Sequence, residues 1–199
     1  MKKSLLLASV ACLFAVNTQA ADLKPYVSAK AKFVGMRAEV EQTSPIHTNV
    51  KLNDNVFGYG LAAGAGIKME EGILRLELEY TSNDDAEKTI AGGKVKFESY
   101  AVFGNAYFDF NTNSDFRPYV GIGLGASKVK FGNKSETKPA CNYNVGINYL
   151  LNDNVALDLG YRFTSYADFE EKKHVGVFYQ KVEYKAHANE LMLGVRFSF

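Results

Sequence analysis

Six bases and five acids in this 199-residue chain recur at positions that alternate with large apolar residues: Lys30, Lys32, Lys68, Arg75, Arg162 and Arg196, with Glu77, Glu79, Asp109, Asp158 and Glu190. Gathered in one place, such a set has three possible uses: a proton relay, an ion path, or mutual neutralisation as ion pairs. The other chemistry-bearing residues are sparser. Ser165, His187 and Glu190 can be strung into a nucleophile, base and orienting acid. By parity, however, His187 falls among the apolar positions and Glu190 among the charged ones, so no triad is expected. His47, His174 and His187 have no short His/Cys/Asp spacing of the kind that holds a metal, so no metal site is expected. Gly121-Ile-Gly-Leu-Gly125 has the glycines of a phosphate loop but no helix to follow it, and it reads as strand. No cofactor is expected.

The alternation defines the elements that must position these residues. In Glu190-Leu-Met-Leu-Gly-Val-Arg-Phe-Ser-Phe199, Leu191, Leu193, Val195, Phe197 and Phe199 fall at every second position. A period of two sends successive side chains to opposite faces of a strand. The same pattern predicts eight strands, at about 24–37, 57–69, 73–82, 94–110, 117–131, 140–151, 155–168 and 187–199. Between them, Glu70-Glu-Gly72, 111–116 and Asn152-Asp-Asn154 are short and turn-like. The segments 42–56, 83–93, 132–139 and 169–186 are longer and more polar. Short turns on one rim and long loops on the other are the layout of an outer-membrane barrel with its short turns in the periplasm. Ten strands would require segment 169–186 to hold an extra hairpin within the wall. That segment mixes charges with Val175, Phe178, Tyr179 and Tyr184. It can instead prolong the last two strands as a protruding hairpin, either simply solvated or with an edge that adds a strand from a partner.

The two faces differ in kind. One carries residues such as Leu61, Leu76, Leu78, Ile122, Leu124, Val145, Leu159 and Leu193, and no charge; the other carries the eleven charges and many glycines. A soluble lipocalin-like barrel would turn the charged face outward, with its glycines wasted on solvent. Aromatics on the apolar face argue for lipid. Tyr26, Phe108, Phe110, Tyr149, Phe197 and Phe199 lie towards the short-turn rim, and Phe33, Tyr59, Tyr80, Tyr100, Tyr143 and Phe163 towards the other. Two such girdles mark the membrane interfaces. Lipid offers no hydrogen bonds to an open edge, so the first and last strands must pair. The expected fold is all-β, an eight-stranded antiparallel up-and-down transmembrane β-barrel. Its lumen is only wide enough for side chains to fill, so the eleven charges are expected to pair there as a structural network.

Residues 1–20 carry Lys2 and Lys3 before an apolar stretch of about twelve residues, too short for a spanning helix. Thr18 and Ala20 then stand at small-residue positions. This is a secretory signal peptide, with cleavage expected after Ala20, leaving 21–199 as one barrel domain. A lipoprotein site at Cys12 fits poorly, because Ser9 stands where that signal wants leucine. Cleavage takes the formal net charge from +1 to −1. No clustered basic excess points to nucleic acid. Cys141 would be the one remaining cysteine, which precludes an internal disulfide.

With these features, the chain resembles the OmpA/OmpX-type outer-membrane barrels, and within them the opacity and surface-antigen-like "porin family" barrels. Arg117-Pro-Tyr-Val-Gly-Ile-Gly-Leu-Gly125 is similar to the fifth-strand segment of that group. The resemblance implies that Val195, Phe197 and Phe199 form the signal read by the outer-membrane assembly machinery. Unlike full-length OmpA, no peptidoglycan-binding domain follows Phe199, so cell-wall anchoring is not expected. The expectation is a monomeric, non-enzymatic outer-membrane protein in contact with outer-membrane lipid. Loops 42–56 and 169–186 would meet a host or surface ligand or support envelope integrity. A narrow channel is the alternative, and a lipid A-modifying enzyme a second one.

Overall fold

The computed structural model describes the backbone of residues 23–43, 48–90, 93–131, 134–166, 169–175 and 178–199, and the side chains within 23–35, 55–83, 100–128, 137–166 and 187–199. The expected signal peptide and its cleavage site lie outside the described residues. The strands are β1 (Leu23–Thr43), β2 (Thr48–Lys68), β3 (Gly72–Ile90), β4 (Gly93–Phe110), β5 (Phe116–Phe131), β6 (Lys134–Leu150), β7 (Val155–Tyr166), β8 (Phe169–Val175) and β9 (Phe178–Ser198). Each pairs antiparallel with its neighbour, and β1 closes on β9 from Tyr26↔Ser198 to Thr43↔Lys181. Nine segments make eight staves. β7 and β8 follow one another along the same edge of β9, through Ser165↔His187 and then Phe169↔Tyr184, so β8 prolongs β7 upward. The result is a closed eight-stranded antiparallel barrel in which no backbone edge faces lipid at the level of the charges.

The short turns behave as expected. Asn152 accepts through its Oδ1 from the amides of Asn154 (2.9 Å) and Val155 (2.8 Å), and Asn154 Nδ2 donates to the Ser198 carbonyl at 2.8 Å. That last bond ties the β7 entry to the end of β9.

Segment 169–186 carries the hairpin expected to prolong the last two strands, but the other long segments differ from expectation. Among the described residues, segments 42–56, 83–93 and 132–139 are mostly strand rather than loop, so β1 runs 21 residues where the sequence predicts fourteen. Period-two burial needs a lipid face and a lumen face, and above the membrane both faces meet water. There the apolar alternation fades while backbone pairing persists, and the strands outlast their signal. A crossing needs about 9–11 residues, so roughly half of β1 stands clear of the bilayer.

Above the membrane the wall divides. β2 pairs with β3 only as far as Gly58↔Asn83, and β6 with β7 only as far as Ala140↔Tyr166. The remaining pairings continue to the hairpin ends. Among the described residues, two four-stranded sheets therefore rise from one barrel, β8-β9-β1-β2 and β3-β4-β5-β6, with a gap on each side. A register shift between Asn83 and Ala86 marks the β3 side of one gap.

Candidate functional site

Parity along each strand delivers the charged residues to the lumen. Lys30, Lys32, Arg75, Glu77, Glu79, Asp109, Asp158, Arg162, Glu190 and Arg196 are all buried there. Lys68 is the exception: it is exposed, and the expectation that it joins the network is corrected. It closes β2 at the periplasmic rim opposite Ile73, below the last layer of inward charges, where water solvates it.

The upper deck is a closed circuit. Arg162, 0% exposed, grips Glu79 with both terminal nitrogens at 3.0 and 2.6 Å. Its Nε donates to Asn144 Oδ1 at 2.8 Å, and Asn144 donates to Asn142 at 2.6 Å. Asn142 donates to Asn105 at 3.2 Å, and Asn105 returns to Glu79 at 3.1 Å. This ring joins β3, β4, β6 and β7, and β5 crosses it at Gly123, where any side chain would overlap Asn105 and Asn142. Lys30 Nζ binds Glu77 at 2.6 Å and Glu79 at 3.0 Å, which brings in β1. Glu190 of β9 accepts from Lys32 at 3.2 Å and from Thr164 at 3.0 Å.

The lower deck is built on aromatics. Arg75 holds Asp109 through Nε and a terminal nitrogen at 2.8–3.0 Å, and Arg196 reaches the same carboxylate at 3.5 Å. The Arg75 guanidinium lies 4.5 Å from the Tyr107 ring centre and 5.3 Å from that of Tyr119. Tyr119 donates to Asp158 at 3.0 Å, and Tyr26 donates to Glu77 at 3.1 Å. Tyr119 lies across β6 and β7, where its hydroxyl end occupies the space that side chains at Gly146 and Gly160 would need. Above both decks, Phe103, Ala101 and Ala140 pack with Tyr166 as a small apolar plug. Charge-assisted bonds of this length tie fully buried groups together across the described lumen.

Sequence reasoning missed the neutral half of this network: Tyr26, Tyr107, Tyr119, Asn105, Asn142, Asn144 and Thr164. Tyr26, expected in the lower girdle, is 2% exposed in the lumen. The signal was present, since Tyr26 shares the even parity of Lys30 and Lys32. Attention to charge alone hid it.

The outer surface carries the apolar set as expected. Leu61, Leu76, Leu78, Ile122, Leu124, Val145, Leu159, Leu191, Leu193, Val195, Phe197 and Phe199 are all exposed. Aromatic pairs band both rims, Phe108–Phe110 and Phe197–Phe199 below (each 5.1 Å between ring centres), Phe33–Phe57 and Tyr80–Tyr100 above. The remaining candidates do not assemble. Ser165 and His187 are cross-strand neighbours on the outer wall, with the His187 ring against Phe163, while Glu190 is engaged inside. Cys141 is a free thiol beside Ser165 in register. The side chains of His47 and His174 lie outside the described residues, and no cluster of three potential metal ligands occurs among the described ones.

Known proteins match this architecture. Residues 5–197 fit the family model described as outer membrane protein beta-barrel domain. Outer membrane protein PagN of Salmonella typhimurium (strain LT2) is 26% identical, over 87% of this chain and 89% of its own. The crystal structure of Neisserial surface protein A (NspA) superposes with a TM-score of 0.57 at 24% identity, covering 88% of this chain and 97% of NspA. OprG of Pseudomonas aeruginosa does so with a TM-score of 0.55 at 14% identity, covering 90% and 96%. These two solved structures share the fold. The match over nearly the whole chain settles the family: this protein belongs to the outer membrane protein beta-barrel domain family and resides in the bacterial outer membrane.

Proposed function

We propose that the barrel is a non-enzymatic scaffold that presents the upper parts of its strands to a host or surface ligand, and so serves as a surface-interaction protein of the adhesin or surface-antigen kind. The observation that carries this reading is the divided rim above a packed lumen. β8 lies at the end of the strand order, with β9 as its neighbour on one side among the described residues. Its other edge, like those of upper β2, β3 and β6, offers backbone donors and acceptors to an added strand. The segments 42–56 and 169–186 supply that surface. A lumen crossed by Arg162, Glu79 and three asparagines supports a structural role for the charge network and weighs against solute passage. The lipid-facing Val195, Phe197 and Phe199 are what the assembly machinery would read on the last strand.

Bacteria displaying the intact barrel should bind ligand-bearing surfaces such as host-cell monolayers or matrix-coated plates. Deletion of 169–186 should abolish that binding while the barrel still folds. Unchanged binding after deletion of both 169–186 and 42–56 would remove the reading. Stepwise currents from the purified intact barrel in planar bilayers would establish the channel alternative instead.

A further inference from the structure

One inward cation has no counter-ion. The buried charges of the two decks balance, with Lys30, Lys32, Arg75, Arg162 and Arg196 against Glu77, Glu79, Asp109, Asp158 and Glu190. Arg117, at the periplasmic end of β5, stands outside that balance. It shares the parity of Tyr119, which fills the lower lumen. Its Nε is buried and bonds nothing, and it makes no ion pair among the described residues. Asp115, which precedes β5, and Asp153, in the β6–β7 turn, are exposed and do not pair with it. Glu70 and Glu71 belong to the β2–β3 turn, beside the exposed Lys68.

A second unsatisfied group stands beside it. Asn148 of β6 is the register partner of Arg117 and is 0% exposed, yet neither its Oδ1 nor its Nδ2 has a hydrogen bond. A buried amide that bonds nothing is costly to keep. The asparagines of the upper deck, Asn105, Asn142 and Asn144, are all bonded. Asp158 of β7 follows in register on the other side of Asn148 and accepts from Tyr119 at 3.0 Å. Arg196, the other loosely held cation of this end, reaches Asp109 at 3.5 Å, and Arg75 already grips that carboxylate. The row Arg117, Asn148, Asp158 therefore runs from an unpaired guanidinium, through an amide with donor and acceptor both open, to a carboxylate.

We propose that Arg117 and Asn148 form a periplasm-facing site for the carboxyl end of a peptide with a small terminal residue. The terminal carboxylate takes from Arg117 the side-on grip that Arg75 gives Asp109 in the same lumen, through Nε and a terminal nitrogen. Asn148 Nδ2 donates to the same carboxylate, and Asn148 Oδ1 accepts the last backbone N–H of the peptide, on the side of Asp158. Asp158 would repel a second carboxylate there but favours a donor, which is why a peptide end suits the row better than a bare anion. Tyr119 fills the space over Gly146 and Gly160 next to the row, so the terminal side chain has to be small. Arg117 is the half-exposed member of the row, and its rotation towards the periplasm admits the ligand. The site is independent of the proposed surface interaction, since it lies at the opposite end of the barrel.

The test titrates N-acetylglycine into the isotope-labelled full barrel in lipid nanodiscs and follows the Asn148 side-chain amide and the Arg117 Nε–H by NMR. Both signals, identified by their loss in Asn148→Leu and Arg117→Gln, should shift saturably. N-acetylglycinamide, which lacks the charge, and propionate, which lacks the N–H, should each bind about tenfold more weakly. Arg117→Gln should weaken the response of the Asn148 amide by a similar factor, about tenfold. Asn148→Leu should abolish the Arg117 shift yet unfold in urea no earlier than the parent, because it removes no bond within the protein. Gel mobility with and without heating verifies that each variant is folded. A shift that does not saturate, equal binding of N-acetylglycinamide or propionate, or an unchanged response in Arg117→Gln would each overturn the proposal. So would earlier unfolding of Asn148→Leu, since Asn148 would then be bonded within the barrel.

Discussion

Arg162 is the residue on which the lumen depends most, because it is wholly buried and its partners come from four other strands: Glu79, Asn144, Tyr107 at 3.5 Å and Glu190 at 3.9 Å. Removing one member of a buried ionic pair leaves the other without compensation, at a cost of about 3–5 kcal/mol. Arg162→Met should therefore destabilise the barrel by that amount in urea unfolding from lipid vesicles. Adding Glu79→Leu should recover most of the loss in a double-mutant cycle, since an apolar pair of similar volume is often as stable as the ions it replaces. Lys30 then loses one of its two carboxylates but keeps Glu77 at 2.6 Å. On the opposite face, Leu193 is 62% exposed to what is hydrocarbon in the membrane. Leu193→Arg should cost roughly 2–4 kcal/mol there, read as a lower folded fraction in vesicles. Equal folding of that variant would mean that the two faces have been assigned the wrong way round.

Among the elements, the β1–β9 seam decides whether the sheet is a barrel. Ala29 and Val195 are register partners on its outer face. With Cys141 replaced by serine, Ala29→Cys together with Val195→Cys should form a disulfide on oxidation of the folded protein. Pairing Ala29→Cys with Phe197→Cys, two residues out of register, should crosslink far less. The turns belong to this scale as well. Asn152→Ala removes two accepted backbone bonds at the β6–β7 turn and should cost about 1 kcal/mol, measured by the same unfolding assay. The strands themselves were readable within the membrane, where apolar and small or charged residues alternate. They were not readable above it. Glu39, Lys51 and Lys185 stand in register across three strands, yet no period in a polar segment announces such a pairing.

At the scale of the whole molecule, the barrel is asymmetric along its axis, with tight turns at one rim and two tall sheets at the other. Protease added to intact cells should cut within 169–186, and leave the turn at 69–72 uncut until the outer membrane is permeabilised. Cleavage at 69–72 in intact cells would mean that the barrel is inverted. The proposed function draws on this axial asymmetry, a packed membrane-spanning half and an outer half that presents strand edges among the described residues.

From sequence alone, the period of two, the uncharged face, the aromatic bands and the alternation of short and long connections determined an eight-stranded membrane barrel with its charges inside. Those signals are local, because lipid on one side and a narrow polar lumen on the other act on every strand independently. Tertiary structure alone decided which charges meet. Glu79 bonds to Arg162, 83 positions away, because closure of the cylinder brings β3 and β7 across the lumen. It also decided that Tyr26 turns inward and Lys68 stays in water, and that the upper wall opens between β2 and β3 and between β6 and β7. These outcomes depend on register and barrel diameter, which arise only when all the strands are laid side by side.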